Sequence, residues 1–312
     1  MKRFAVTAAA LLTFLSQGVT AGATEKLPSA IPPAALARLI ASSTKISTLP
    51  TKLTTPLSKV EVDRVDRYYL SLKIGCYAIG NSCTFGSSKL KKTLVLLGDS
   101  HAAMWAPAII PSATAAGYKV IVQWFPNCPV ADVVPWVTLK GQLGTDCSAW
   151  RTRTLSAIAN LNPSMVILSE ATTFAQSDAS TPFSPSAWQS ALQRTIAVVN
   201  KPGSKVIMMG DVPYFAVSPA QCLAAHPTDV QQCSTEVVNS IPQDRQMTSA
   251  ESGAAAATHI AFFNPDPLLC ASTCSPIVGS TVTFKDTNHV ASSYAASIRD
   301  ALWKGLMAAK IK

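Results

Sequence analysis

The sequence predicts an α/β fold in which a parallel sheet of five strands carries one layer of helices on each face. From residue 93 onward, short apolar runs alternate with longer segments of helical periodicity, which is the order of successive β-α-β units. Of the 312 residues, 48% are hydrophobic, so the chain can bury a large core and is expected to fold.

Each predicted strand is a short apolar run, and a predicted helix follows each of them. The strands are expected at residues 93–97, 119–124, 164–169, 205–209 and 259–263. The helices are expected at residues 102–116, 148–160, 185–200, 244–258 and 291–307. Ligands of such sheets bind beyond the carboxyl ends of the strands, so the loops that follow the strands should form the functional site.

The start of the chain, residues 1–23, is typical of a secretory signal peptide. Two basic residues precede an apolar run at residues 4–15, and small residues follow this run. Cleavage near Ala21 or Ala23 would give an exported protein, periplasmic or extracellular. An uncleaved N-terminal anchor is the alternative, although the run is shorter than the about 20 residues that a spanning helix needs.

Residues 24–75 are rich in Pro, Ser, Thr and Lys, with a short helical stretch at residues 34–41 and no strong strand. We interpret this segment as an extension that lies on the surface of a domain formed by residues 76–312. A disordered linker is the alternative. The aromatic and apolar residues 68–70, however, indicate that the end of the extension is held against the domain.

The chain has 26 Lys and Arg against 17 Asp and Glu, which gives a formal net charge of +9. The basic residues are scattered, apart from a cluster at residues 89–92, and an exported protein rarely meets nucleic acid. A nucleic-acid partner is therefore not expected, and an anionic envelope or polysaccharide fits the charge better. No cofactor is predicted.

The eight cysteines form four local couples, none with the C-x-x-C repeats that are typical of zinc sites, so no metal is predicted. In an exported chain they favour disulfides over thiol chemistry. Eight cysteines can pair in many ways. Pairing of sequence neighbours is preferred because it closes short loops, but other pairings are possible. The preferred bridges are Cys76–Cys83, Cys128–Cys147, Cys222–Cys233 and Cys270–Cys274.

A Gly-Asp-Ser-His motif at residues 98–101 follows the first predicted strand and precedes a helix. Ser100 therefore lies near a helix N-terminus, where free backbone N–H groups and the helix dipole can stabilise an oxyanion. Gly98 permits the tight turn that brings the serine hydroxyl into the crevice. Taken alone, Ser100 could simply cap the helix, and for Asp99 a turn-stabilising or loop-tethering role is expected.

A serine nucleophile needs a base, and the chain has four histidines. His226 lies in a cysteine-bounded insertion and His259 opens a predicted strand, so structural roles are expected for both. His101 adjoins the serine, but on the first turn of the helix its side chain should point away from it. His289, before the last predicted helix, remains as the candidate base.

Asp286 lies three residues before His289 in the same loop. This spacing lets the carboxylate fold back to the imidazole, fix its tautomer and stabilise the imidazolium that forms when the base takes a proton. The alternative is that Asp286 caps a turn and His289 caps the final helix.

These motifs resemble the first and last sequence blocks of the SGNH (GDSL-like) hydrolase superfamily. More narrowly, residues 60–310 resemble the SGNH domain that is fused to bacterial acyltransferase-3 membrane proteins, which modify envelope polysaccharides with acyl groups. Besides the Ser100 motif, the narrower resemblance rests on Gly75-Cys76, Cys128-Pro129, residues 147–151, residues 210–214, residues 222–233, Cys270 and Cys274.

The resemblance implies a flavodoxin-like three-layer α/β/α fold and a catalytic triad of Ser100, Asp286 and His289. It also implies an oxyanion hole to which the backbone N–H of Ser100 contributes.

The superfamily normally supplies a Gly and an Asn as further oxyanion donors, and this chain departs from that pattern. After the third predicted strand it reads Ser-Glu-Ala-Thr-Thr at residues 169–173, with no Asn. Asn127, in the loop after the second strand, and Thr172 are therefore the candidates for further oxyanion donors.

The leading hypothesis is an exported serine O-acyltransferase or carboxylic-ester hydrolase. It would move an acyl group, expected to be acetyl, to or from an envelope glycan through an acyl-Ser100 intermediate. The resembled domains are joined to a membrane acyltransferase, whereas here a signal segment takes the place of membrane helices. The chain is therefore expected either to work beside a separate membrane acyltransferase or to act alone as an esterase. A catalytically inactive glycan-binding domain is the alternative. A Gly-x-Ser-x-Gly hydrolase is disfavoured because Ala102 replaces the last Gly.

Overall fold

The computed structural model describes residues 25–78, 80, 83–137, 140–174, 176–237 and 242–311, so the predicted signal peptide lies outside the described residues. The strands are β1 (Thr84–Phe85), β2 (Lys92–Gly98), β3 (Tyr118–Trp124), β4 (Trp136–Val137), β5 (Gln142–Leu143), β6 (Met165–Ser169), β7 (Lys205–Met209), β8 (Thr235–Glu236), β9 (Ala261–Phe263), β10 (Thr273–Cys274), β11 (Ile277–Val278) and β12 (Thr281–Val282). The helices are α1 (Pro33–Ser43), α2 (Leu57–Val60), α3 (Ser100–Ala115), α4 (Thr145–Leu161), α5 (Pro185–Val199), α6 (Pro219–Ala225), α7 (Pro242–Ala257), α8 (Ser292–Ser297) and α9 (Arg299–Ala308).

The central sheet has six strands in the order β1-β3-β2-β6-β7-β9. The five predicted strands are confirmed as β2, β3, β6, β7 and β9, and they pair in parallel. The sixth strand, β1, was not predicted. It pairs antiparallel with β3 through two residues only, a length too short to give a periodic apolar pattern.

Two further predictions are corrected by the structure. His259 does not open a strand: it lies exposed in the turn before β9, with a φ of 52° that belongs to the left-handed region. The predicted last helix divides into α8 and α9 at Ile298, although the backbone hydrogen bonds from Ile298 to Tyr294 and from Leu302 to Ile298 continue the helical path.

The sheet separates two apolar cores, because successive side chains of a strand point to opposite faces. In β2, Leu94 and Leu96 pack on the face covered by α1, α3, α8 and α9. Val95 and Leu97 pack on the other face, which is covered by α4, α5 and α7. The three-layer α/β/α fold is therefore confirmed.

The N-terminal extension packs into this fold along much of its length. Leu36, Tyr68 and Leu72 are each no more than 2% exposed and belong to the same core as α3 and α9. Asp63 is buried as well and accepts hydrogen bonds from the backbone N–H (3.2 Å) and hydroxyl of Ser293 in α8. The described part of the extension, from residue 25, thus packs against the domain.

The four preferred disulfides are all formed. Cys128–Cys147 joins the loop after β3 to α4, and Cys76–Cys83 closes the loop before β1. The other two bridges, Cys222–Cys233 and Cys270–Cys274, close short loops after β7 and β9. In the described part of the chain, no helix has the length and apolar character needed to cross a bilayer.

Candidate active site

Ser100 is the first residue of α3, at the sharp turn that follows β2. The turn requires glycine at position 98, because a Cβ there would lie 1.7 Å from the backbone oxygen of Ser169 on β6. Asp99 holds the turn with both carboxylate oxygens. Oδ1 accepts from the backbone N–H of His101 and Oδ2 from that of Ala171, each at 2.8 Å. The expected loop-tethering role of Asp99 is therefore met by these contacts.

The structure brings the predicted nucleophile and base together across 189 residues of sequence. His289 Nε2 lies 2.9 Å from Ser100 Oγ, and His289 Nδ1 lies 2.9 Å from Asp286 Oδ2. The loop folds as the spacing predicts, because Asp286 Oδ1 also accepts from the backbone N–H of Asn288 (3.1 Å) and of His289 (2.7 Å). Lys285 Nζ contacts the other carboxylate oxygen of Asp286.

The charges around His289 favour its neutral form. Burial lowers the pKa of His289, and the neighbouring His101 and Lys285 act in the same direction; the hydrogen bond to Asp286 opposes them, and the net shift is downward. Burial would raise the pKa of Asp286, but its contacts with His289 and Lys285 hold it well below the usual range. Asp286 is thus an ionised partner of a neutral imidazole, the arrangement that a general base needs.

A second histidine–aspartate pair lies directly behind the first. His101 is fully buried, and its Nδ1 is 2.6 Å from Oδ1 of Asp211, which follows β7. The His101 ring also meets the His289 ring edge to face, with the centroids 5.0 Å apart. The His101 side chain, which was expected to point away from Ser100, thus contacts the ring of the candidate base. Its partner is 110 residues away, so no local spacing could have revealed the pair.

Three more buried carboxyl groups surround this second pair. Burial raises the pKa of Asp99 to about 6 and that of Glu170 to about 8. Burial also raises the pKa of Glu251 well above its usual range. Glu251 Oε2 accepts from the backbone N–H of Asp211 at 3.1 Å. Burial would raise the pKa of Asp211, but His101 and the other hydrogen-bond donors lower it, so Asp211 is ionised and acts on His101 more strongly than Asp99 does.

The two candidate oxyanion donors are placed differently from Ser100. The backbone N–H of Thr172 and its hydroxyl both donate to Asp211 Oδ2, at 2.8 and 2.9 Å, so these donors are occupied. Asn127 lies in the turn after β3, with a φ of 59°, and does not line the cavity that contains Ser100. The N-terminal position of Ser100 in α3 leaves its backbone N–H as the donor that the geometry supports.

Ser100 and His289 open into a cavity of about 130 Å³. Its floor includes the apolar side chains of Met104 and Trp124. Arg64, Val65, Asp66 and Lys73 of the N-terminal extension also line the cavity, and so does Lys285 in the loop of Asp286 and His289. The extension therefore shapes the entrance to the site, which sequence reasoning had placed entirely in the domain.

This geometry can perform nucleophilic acyl chemistry. A neutral imidazole within hydrogen-bond reach of a serine hydroxyl can take its proton, and an ionised carboxylate on the far nitrogen stabilises the resulting imidazolium. The helix N-terminus at Ser100 supplies a partial positive charge where an oxyanion would form.

Comparison with known proteins agrees with the fold. A family model described as "SGNH domain (fused to AT3 domains)" matches residues 70–304. None of the curated proteins compared with the chain matches it. The periplasmic domain of a lipopolysaccharide acetyltransferase from Salmonella ser. Paratyphi A superposes with a TM-score of 0.56 at 16% identity, over 73% of this chain and 87% of that one.

Two more distant structures are similar over comparable lengths. A putative acylhydrolase from Bacteroides fragilis has a TM-score of 0.44 at 13% identity, covering 72% of this chain and 89% of that one. An acetyl-xylooligosaccharide esterase from Geobacillus, solved as a mutant, has a TM-score of 0.42 at 11% identity, covering 71% and 95% respectively.

Proposed function

The chain belongs to the family of SGNH domains that are fused to AT3 domains, and from this premise we propose that it is an exported serine acyltransferase or esterase. It moves an acyl group to or from an envelope glycan through a covalent acyl-Ser100 intermediate. The observation that carries the proposal is the continuous line of contacts from Ser100 Oγ to His289 and on to Asp286, each at 2.9 Å.

The proposed reaction begins with proton transfer from Ser100 Oγ to His289 Nε2 as Oγ attacks the carbonyl carbon of the acyl donor. Asp286 stabilises the imidazolium, and the backbone N–H of Ser100 donates to the tetrahedral oxyanion. His289 then returns the proton to the leaving oxygen, which gives acyl-Ser100. A glycan hydroxyl or water, deprotonated in turn by His289, attacks this ester and releases Ser100.

The shape and charge of the cavity support a small acyl group and an anionic glycan. A cavity of about 130 Å³ next to Ser100 has room for an acetyl group. Arg64, Lys73 and Lys285 line the cavity; Arg64 pairs with Asp66 and Lys285 with Asp286, so the charged groups described around it sum to a net positive charge. A separate membrane acyltransferase is the proposed donor, by analogy with the AT3 domains to which this family is fused.

The proposal is tested on the mature protein with p-nitrophenyl acetate and a fluorophosphonate probe. Wild type should hydrolyse the ester and be labelled at Ser100, whereas Ser100→Ala should lose both. Ser190→Ala, which changes an exposed serine on α5, is the matched control and should keep both. A wild-type protein that neither turns over nor becomes labelled would contradict a catalytic role.

Hydrolysis and transfer differ in the molecule that accepts the acyl group from Ser100. The acylated enzyme is given either buffer alone or envelope polysaccharide, and the acyl content of the polysaccharide is measured. Gain of acyl groups that depends on Ser100 supports transfer, and loss of existing ones supports esterase action.

A non-catalytic glycan-binding domain is the second candidate. The observation that favours it is the capture of both Thr172 donors by Asp211, which leaves the Ser100 backbone N–H as the oxyanion donor that the geometry supports. On this alternative, Ser100→Ala would leave polysaccharide binding intact, and wild type would not react with the fluorophosphonate.

A further inference from the structure

The buried pair of His101 and Asp211 has more hydrogen bonds than a packing contact requires. Asp211 accepts, at 2.8 to 2.9 Å, from the backbone N–H of Val212, from the backbone N–H and hydroxyl of Thr172, and from the hydroxyl of Tyr214. His101 Nδ1 adds a fifth contact at 2.6 Å. A carboxylate with so many donors is fixed in place and held ionised, because hydrogen bonds to the charged form favour it.

The other side of the His101 ring faces the proposed base. Its ring meets that of His289 at an interplanar angle of 64° with 5.0 Å between the centroids. His101 Nε2 is buried and has no hydrogen-bond partner among the described residues, so a polar atom is held in the interior at a cost. An apolar ring could fill the same space without this cost.

We propose that His101 is a positioning residue for His289. Anchored by Asp211, its charged ring holds the His289 ring within reach of Ser100 and keeps that ring in its neutral, proton-accepting form. This inference rests on the proposed function, in which His289 is the base.

The charge on His101 follows from the groups that face it. Burial would lower the pKa of His101, but the charge and the hydrogen bond of Asp211, together with the charges of Asp99 and Asp286, outweigh burial, and the pKa is raised. The other titratable groups near the pair are Glu170, Glu251 and Tyr214. Glu170, with a pKa of about 8, and Glu251 are held towards their neutral forms by burial, so they compete little with Asp211 for this role.

The groups that face His289 give the opposite result. Asp286 alone would favour its cationic form, in which it could not accept the Ser100 proton. His101 and Lys285, both cationic, oppose Asp286 together with burial and lower the pKa of His289. Arg64, Asp66 and Lys73 face it only across the open cavity. His101 is the one of these groups that is sealed from solvent, so its influence is the least screened.

The test measures the protonation of each histidine directly. Protein labelled with ¹³C-histidine is titrated by NMR as wild type, His101→Asn and Asp211→Asn; the chain has four histidines, so the signals can be assigned. Asn at position 101 can still donate to Asp211 but carries no charge. Asn at position 211 has the shape of Asp and removes the charge that holds His101 cationic, so it serves where His101→Asn does not fold.

The expected result is that wild-type His101 is cationic at pH values where His289 is neutral, and that both variants move the His289 titration to higher pH. In parallel, kcat/KM at pH 5.5 relative to pH 8 should fall on the order of tenfold, while kcat at pH 8 changes less. His259→Asn, which alters an exposed histidine, is the control and should leave the His289 titration unchanged.

An unchanged His289 titration in the folded variants, or a neutral His101 where His289 is neutral, would overturn the inference. The NMR titration needs no turnover, so its result is independent of whether Ser100 reacts. Absence of fluorophosphonate labelling in wild type would instead overturn the proposed function. The two failures are therefore distinguishable.

Discussion

The site contains two histidine–aspartate pairs that are alike in chemistry and opposite in setting. Asp286 and His289 are three residues apart, and their side chains are 36% and 22% exposed. Asp211 and His101 are 110 residues apart and at most 1% exposed. The first pair has its histidine pKa lowered and the second has it raised. A partner carboxylate alone therefore does not decide the protonation of a histidine; burial and the other charges around the ring decide it together with that carboxylate.

The difference in exposure indicates different roles for the two pairs. The more exposed pair, Asp286 and His289, has His289 Nε2 within hydrogen-bond distance of Ser100 Oγ and can gain and lose a proton. In the buried pair, His101 Nδ1 contacts Asp211, whereas His101 Nε2 has no hydrogen-bond partner among the described residues. Several further donors surround Asp211. We expect changes to the exposed pair to affect mainly turnover, and changes to the buried pair to affect mainly stability and pH dependence.

The largest expected effect is that of Asp286→Asn on turnover. Asn keeps an oxygen for the backbone N–H groups of the loop but cannot fix the His289 tautomer or stabilise its imidazolium, so kcat should fall roughly 10³- to 10⁴-fold. The measurement is steady-state hydrolysis of p-nitrophenyl acetate. Asp300→Asn, on the exposed surface of α9, is the matched control. A fall of less than about tenfold would remove Asp286 from the proposed triad.

The next effect concerns stability and compares alanine at both aspartates. Asp211→Ala leaves a buried cationic imidazole and several backbone and hydroxyl donors unpaired, which should cost about 3 to 5 kcal/mol in the free energy of unfolding. Asp286→Ala should cost about 1 kcal/mol or less, because that pair is partly exposed. Urea unfolding with the disulfides intact measures both. Equal losses would mean that the two pairs do not differ in the way described.

The same contrast explains what the sequence could and could not predict. Asp286 and His289 share one loop, so their spacing alone predicts the contact, and the Gly98 turn places Ser100 at the end of a recognisable strand. The parallel strands were predictable because each is a continuous apolar run buried on both faces.

Long-range contacts gave no such signal. The contact of His101 with Asp211 depends on the start of α3, after β2, meeting the loop after β7 at the carboxyl ends of the strands, and no local spacing reveals it. The position of Arg64 and Lys73 at the cavity likewise depends on how Asp63 anchors the extension to α8. From composition alone, we interpreted the extension as a segment on the surface of the domain.

The opposite pKa directions of the two pairs predict the pH dependence of turnover. His289 must be neutral to accept a proton, and its pKa is lowered, so kcat/KM should persist as the pH falls below the ordinary histidine value of about 6.5. It should be lost only when the pH falls through the lowered pKa of His289. The measurement is kcat/KM for a neutral ester between pH 4.5 and 8. An acidic limb centred above pH 6.5 would contradict the charge arrangement proposed around His289.

The smallest effect is expected at the rim, where charges face the exposed pair across solvent. Arg64→Gln and Lys73→Gln should raise KM for an anionic acyl acceptor by about two- to fivefold at low salt, because solvent-exposed charges contribute up to about 1 kcal/mol each. The same variants should leave hydrolysis of neutral p-nitrophenyl acetate unchanged, and added salt should abolish the difference by screening. Lys45→Gln changes an exposed lysine of the extension that does not line the cavity and is the control. If the rim variants impaired the reactions of neutral and anionic substrates equally, the extension would stabilise the structure of the site and would not select the substrate.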